Sequence, residues 1–159
     1  MRLRLEDVSI RYGKMLYVAA LSACKNREDA EDAVQDACMQ YLRLNKDFES
    51  AEHIKAWLLR VTINRAINYS RSFWRKHKEP LEDYMETLQF DSGEDQQLIE
   101  TLMELPDKYR ITLHLFYYDD YSIKEIADIL KISESAVKSR LVRGRSLMKQ
   151  KLQEEWEND

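Results

Sequence analysis

The sequence predicts an all-α chain: two small helical domains joined by an acidic linker, the second containing a helix-turn-helix. Three observations carry that expectation. Only three Gly and two Pro occur in 159 residues, too few to punctuate the hairpins of an all-β fold. Apolar residues recur at helical spacing through most of the chain. Helix-start residues (Asn26, Ser50, Ser122 and Ser133) stand directly before those periodic runs.

The first domain, residues 1–78, reads as three helices. From Asp7 to about Cys24, residues Val8, Tyr12, Met15, Leu16, Ala19 and Ala20 form an apolar stripe. Asn26 caps a second helix, with Glu28 and Asp29 in its first turn, where the helix dipole favours acids. Val34, Ala37, Cys38, Tyr41 and Leu42 continue that helix and leave Asp29, Asp32, Gln35 and Asp36 largely outward. After the loop LNKDFES, Ser50 caps a long third helix expected to end near Lys78. Its apolar residues lie on more than one side (Trp57, Leu58, Val61, then Leu59, Ile63, Ala66), as in a helix packed between others.

Residues 79–94, within the acidic and weakly periodic stretch PLEDYMETLQFDSGEDQQ that contains DSG, read as a linker ordered only where a partner holds it. The second domain, 95–159, starts with a short helix from about Asp95 to Glu104, and Pro106 at a first helical position opens another. Ser122-Ile-Lys-Glu125 is then a capping box, with Tyr121 and Ile126 as its hydrophobic staple. Lys131-Ile132-Ser133 forms a tight turn, and Val137, Leu141, Gly144 and Met148 share one face of the last helix. This is the pattern of a helix-turn-helix. Gly usually opens such a turn because the backbone there is left-handed; Lys131 costs about 1 kcal/mol in its place.

A formal net charge of −4 conceals strong segregation. Seven cations and no acid lie between Lys55 and Lys78, ten acids and no Lys or Arg between Glu79 and Asp107. Seven cations against one acid follow between Lys131 and Lys151. Basic segments of this kind can follow a phosphate backbone although the whole chain is acidic. With Val137 and Leu141 inward, the last helix turns Ser135, Ser139, Val142, Arg143 and Ser146 outward, flanked by Lys138, Arg140 and Arg145. Hydroxyls permit close approach to a major groove, Arg can bond a guanine edge, and Val142 suits a thymine methyl. A merely solvated basic helix is the plain alternative; the capped partner helix and tight turn favour DNA reading. On the third helix, Arg60, Asn64, Asn68, Arg71 and Arg75 form a polar stripe. Trp57 lies at its edge, better read as core, and Tyr69, Phe73 and Trp74 interleave with the late cations, a mixture suited to single-stranded nucleic acid.

Other functions find little support. No apolar run is long enough to span a membrane, no signal-peptide pattern opens the chain, and a cytoplasmic protein without direct membrane insertion is expected. Cys24 and Cys38 have no metal-ligand spacing and read as buried free thiols. His53, His77 and His114 are far apart with no accompanying carboxylate cluster, so neither a metal, a cofactor nor a nuclease site is indicated. A stand-alone dimeric helix-turn-helix regulator would leave the first half unexplained.

The segments EDAEDAVQDACMQ (28–40), IKAWLLRVTINRAINYSR (54–71), LPDKYRITLHLFYYDDYSIKEIADIL (105–130) and SESAVKSRLVRGRSLMKQKL (133–152) together resemble the extracytoplasmic-function (ECF) group of bacterial RNA polymerase sigma factors. They follow the family's order and cover most of the chain outside the linker. Lys131 departs from the usual turn Gly, and Ser135-Ala136 from a common Gly-Thr. The resemblance implies a promoter-recognition subunit, not an enzyme. Asp29, Asp32, Gln35 and Asp36 would dock on the clamp helices of the polymerase largest subunit, and the flap would be a further contact. Asn45, Lys46, Asp47 and Phe48, with Arg60, Asn64, Asn68, Arg71 and Arg75, would engage the minus-ten element and trap a flipped base. The last helix would read the minus-thirty-five element. The acidic linker would thread the polymerase cleft as a mimic of RNA, and an anti-sigma factor would be a further partner.

Overall fold

The computed structural model describes residues 1–71 and 79–158, with side chains described as far as Glu154. All regular structure among these residues is helical. The chain divides into two compact units, one ending at Tyr84 and the other starting at Met85.

The first unit is built on α1 (Leu5–Cys24), α2 (Arg27–Leu44) and α3 (Ala51–Arg71), each packed against the other two. Asn26 caps α2 as expected, its side chain accepting the Asp29 N–H at 2.9 Å. Ala30, Ala33, Ala37 and Tyr41 form the buried stripe of α2. Three alanines in that stripe let the helices approach closely, while Leu16 and Leu21 of α1 and Ile54, Leu58, Leu59 and Ile63 of α3 supply bulk. Burial of each such Leu or Ile contributes roughly 1.5–3 kcal/mol. The third helix is described only to Arg71; Phe73, Trp74, Arg75 and its expected end near Lys78 lie outside the described residues.

The acidic segment carries more structure than its composition suggests. Leu81–Met85 form a short helix, α4, in which Tyr84 and Met85 are buried. Ser92 then caps α5 (Gly93–Met103), its hydroxyl accepting the Asp95 N–H at 3.1 Å. The DSG expected to break the chain is therefore a helix start.

In the second unit α5 is followed by α6 (Asp107–Leu113), α7 (Ile123–Leu130) and α8 (Glu134–Asn158). Pro106 is the N-cap of α6 rather than its first helical residue. Helix α6 runs on into a π-helical turn, His114–Tyr118, in which the His114 and Tyr118 rings stack at 4.9 Å. Arg110 is buried; its guanidinium donates to the Leu105 carbonyl at 2.8 Å and to Asp107 at 2.7 Å, tying the α5–α6 turn to α6. Both halves of the capping box at Ser122 and Glu125 are formed, each at 3.1 Å. Lys131 is left-handed (φ 57°), as the tight turn requires, and Ser133 caps α8 through the Ala136 N–H.

Helices α6 and α8 cross at Gly144. A Cβ there would lie 2.9 Å from Leu113 Cδ1 and 3.1 Å from its Cγ. We expect Gly144→Val to destabilise the protein by about 1–3 kcal/mol through overpacking. Gly144→Ala should cost less, because its better helix propensity offsets part of the clash. Denaturant midpoints of the two variants check the order.

His114 is fully buried, and its Nε2 lies 3.4 Å from Asp119 Oδ2. Burial first and the charge of Arg110 second lower its pKa from 6.5 to about 4, so the ring is neutral at pH 7 and this contact is not an ion pair. An unfolded chain then binds the additional proton as pH falls from about 6.5 to about 4. The contribution of His114 to stability is complete above that window and lost progressively through it, on the order of 3 kcal/mol in total. Thermal unfolding across this range should be less pH-dependent in His114→Leu than in the wild type.

Candidate nucleic-acid and partner interfaces

On α8 the inward anchors are Val137 and Leu141, both almost completely buried, with Gly144 beside them. The opposite side presents a shallow concave surface lined by Lys138, Ser139, Val142, Arg143 and Ser146. Val142 is 65% exposed, an isolated apolar side chain among cations and hydroxyls. Ser135 is exposed beside this surface and Arg140 is half-buried at its flank. Arg145 behaves differently from the expectation. Its Nε donates to the Tyr117 hydroxyl, and its guanidinium lies 5.6 Å from the Phe116 ring centre and 5.5 Å from that of Tyr117. It leans toward the π-helical turn because the aromatic faces there attract the cation.

On α3, Arg60, Asn68 and Arg71 are exposed and Asn64 is half-buried, one turn apart along the helix. Trp57 is half-buried against Tyr41 (6.3 Å between ring centres) and Phe48 (5.9 Å). Tyr69 does not stand among the cations as a free ring, since its hydroxyl donates to Asp36 of α2.

The loop after α2 leaves Asn45, Lys46 and Asp47 exposed but buries Phe48 to 7% exposure. Phe48 stacks on Tyr41 at 5.9 Å, so its ring anchors the loop and is no open platform for a base. Asn45 is left-handed (φ 45°) at the end of α2, a conformation Asn tolerates.

The acidic face of α2 also departs from the expected pattern. Gln35 is exposed and Asp32 and Asp36 are half-buried, while Asp29 is buried at 5% exposure. Asp29 sits in the first turn, its backbone N–H bound to the capping side chain of Asn26. Glu79 adds a contact that periodicity did not signal. Its carboxylate accepts the Arg27 backbone N–H at 2.5 Å and the Arg27 Nε at 3.3 Å, and its own N–H donates to the Lys25 carbonyl at 2.8 Å. An acid at a helix N-terminus satisfies an otherwise unbonded donor and suits the dipole. It also neutralises Arg27, the one cation on the first half of α2.

The second unit holds an apolar groove of about 630 Å³ between α5, the π-helical turn and α8. Leu98, Leu102, Leu113, Tyr117, Met148 and Leu152 line it, and Leu98, Tyr117 and Tyr118 are exposed. Sequence periodicity placed Met148 inward but did not reveal this hollow, whose walls come from separate helices. Among the described residues no group of three or more His, Cys, Asp or Glu could hold a metal, and no helix is long and apolar enough to cross a membrane.

Comparison with known proteins gives these surfaces a family. The sigma-70 region 2 model matches residues 10–76 and the sigma-70 region 4 model residues 95–148. The RNA polymerase sigma factor SigV of Bacillus subtilis (strain 168) is 32% identical, over 87% of this chain and 85% of its own. The ECF RNA polymerase sigma factor SigM of the same organism is 30% identical, over 91% of this chain and 93% of its own. Among solved structures, the sigma factor RpoE in complex with the anti-sigma factor NepR from Bartonella quintana shares the fold, with a TM-score of 0.71 and 22% identity over 93% of this chain and 96% of that one. CnrH in complex with the cytosolic domain of CnrY gives a TM-score of 0.66 and 25% identity over 94% of this chain and 87% of that one. With both sigma-70 regions matched in order and near full-length likeness to such relatives, the chain belongs to the ECF group of sigma-70 RNA polymerase sigma factors.

Proposed function

We propose that this sigma factor docks on core RNA polymerase through α2, reads the minus-ten element with the loop after α2 and the polar stripe of α3, and reads the minus-thirty-five element with α8. The observation that carries the reading is the outer face of α8, where Lys138, Ser139, Val142, Arg143 and Ser146 line one surface opposite the buried anchors. Such a face combines phosphate contacts with groups able to touch base edges. Arg60, Asn64, Asn68 and Arg71, with Asn45, Lys46 and Asp47, supply a polar surface on the first unit suited to a melted strand. A flipped base held there would favour strand opening through binding energy alone, with no catalytic group and no cofactor.

For polymerase docking, Asp32, Gln35 and Asp36 are the accessible members of the acidic set, and Asp29 supports the helix from within. The apolar groove beside α8 suits an apolar segment of the polymerase flap. An anti-sigma partner is supported by the likeness to RpoE, solved in complex with the anti-sigma factor NepR. Residues 79–94 serve as the connection between domains 1–78 and 95–159, and their acids suit a channel built for a polyanion.

The experiment is a core-polymerase pull-down with runoff transcription, comparing wild type and Asp32→Ala/Gln35→Ala. The wild type should bind core and start transcripts at defined promoters, and the double variant should lose most of both. Failure of the wild type to bind core, with tight binding of the free chain to duplex DNA, would instead mark a dimeric regulator. In the same assay Arg143→Ala should lower minus-thirty-five-dependent initiation by roughly ten- to hundredfold, the worth of a guanine contact. Affinity for core polymerase should remain unchanged in that variant.

A further inference from the structure

We propose that residues 1–3 form a clasp that positions the 45–48 loop, and that Arg2 and Tyr41 thereby set how sharply the loop discriminates bases. The inference rests on the reading that this loop engages the minus-ten element.

The last carbonyls of α2 lack partners within the helix, and Arg2 supplies one. Its Nη2 donates to the Tyr41 carbonyl at 2.9 Å and its Nη1 to the Lys46 carbonyl at 3.0 Å. These two acceptors lie on either side of left-handed Asn45, so one planar guanidinium fixes the exit of the loop against the end of the helix. A cation at a helix C-terminus is also favoured by the dipole.

Tyr41 completes the clasp. Its hydroxyl accepts the Leu3 N–H at 2.9 Å and donates to the Leu3 carbonyl at 2.6 Å, while Arg2 lies 4.5 Å above its ring. At the far side of the loop the Phe48 N–H donates to the Met1 carbonyl at 2.7 Å, and the Phe48 ring stacks on Tyr41. Both ends of the loop are thus tied to residues 1–3, and between the ties stand the exposed side chains of Asn45, Lys46 and Asp47. A loop held in one conformation loses little freedom when a base enters, and a wrong base cannot be accommodated by rearrangement. Arg2 and Tyr41 are positioning residues in this scheme; neither is assigned a contact with DNA.

The test is runoff transcription by reconstituted holoenzyme on a promoter library randomised through the minus-ten element, with transcripts sequenced to give base preference at each position. Arg2→Gln and Tyr41→Phe should flatten preference at the loop-read positions on the order of tenfold. Core affinity and preference in the minus-thirty-five element should stay within about twofold. Arg2→Lys, able to keep one carbonyl contact but not both, should fall between. Hydrogen exchange should quicken at the Leu3 and Phe48 amides in Arg2→Gln and Tyr41→Phe, without a matching change across α1 and α3. A Lys46→Ala/Asp47→Ala variant is the control. If it alters minus-ten preference while Arg2→Gln and Tyr41→Phe do not, the clasp is overturned and the loop reading stands. If the control also leaves preference unchanged, the loop reading fails and the clasp with it. A uniform loss of core affinity in Arg2→Gln and Tyr41→Phe, with preference intact, would reduce the contacts to ordinary stabilisation and overturn the proposal.

Discussion

Helix α8 is held along one narrow face, because most of the remainder is left to water and charge. Val137 and Leu141 are the buried anchors, and at Gly144 the helix comes so near Leu113 that no Cβ has room without a shift. This close crossing fixes two features at once. It sets the rotation of α8, and hence which side chains form the outer basic surface. It also brings α8 beside the π-helical turn, where the apolar groove opens. The surfaces on both sides of one helix therefore depend on a residue that has no side chain.

The first unit solves the same problem with small residues and aromatics. Alanines on α2 allow close packing with α1 and α3, so the acidic and polar faces of these helices can remain turned outward. At the lower end of α2 the alanine stripe gives way to Tyr41, whose ring meets Phe48 and Trp57. That aromatic cluster converts a helix end into a platform for a loop. Its hydrogen bonds run to residues nearly forty positions away along the chain, so the platform forms only when the whole unit has folded.

Much of this architecture was legible in the sequence, and the physical reason differs from place to place. The helix-turn-helix announced itself because capping box, staple and turn are local chemistry; even the left-handed backbone at Lys131 was expected from its place where such turns usually carry Gly. The outer face of α8 followed from periodicity, and so did Val142 at its centre. The misreadings turn on burial and side-chain contact, which helical periodicity alone does not report. Asp29 carries the charge of a surface residue but is buried at 5% exposure. Phe48 looks available until the Tyr41 and Trp57 rings around it are known, while Arg145 stays exposed but reaches the Tyr117 hydroxyl. Buried Arg110 and His114 gave no local sign, since burial is a property of the packed unit. The acidic segment misled through composition: Ser92 is a cap, and Tyr84 and Met85 are buried, within a stretch that otherwise reads as solvated.

Glu79 carries a consequence for the tolerance of the chain to insertion. Its contacts with Arg27 and Lys25 close a circuit within the first unit, from the start of α2 through α3 and back. Residues added ahead of Glu79 enlarge that circuit, at a closure cost that grows only slowly with length. Residues added after α4, whose Tyr84 and Met85 are buried, lie outside that circuit and lengthen the stretch toward α5 instead. Two insertions of equal size, a few positions apart, thus differ in kind: one is absorbed by the domain, and the other alters the reach of the connection.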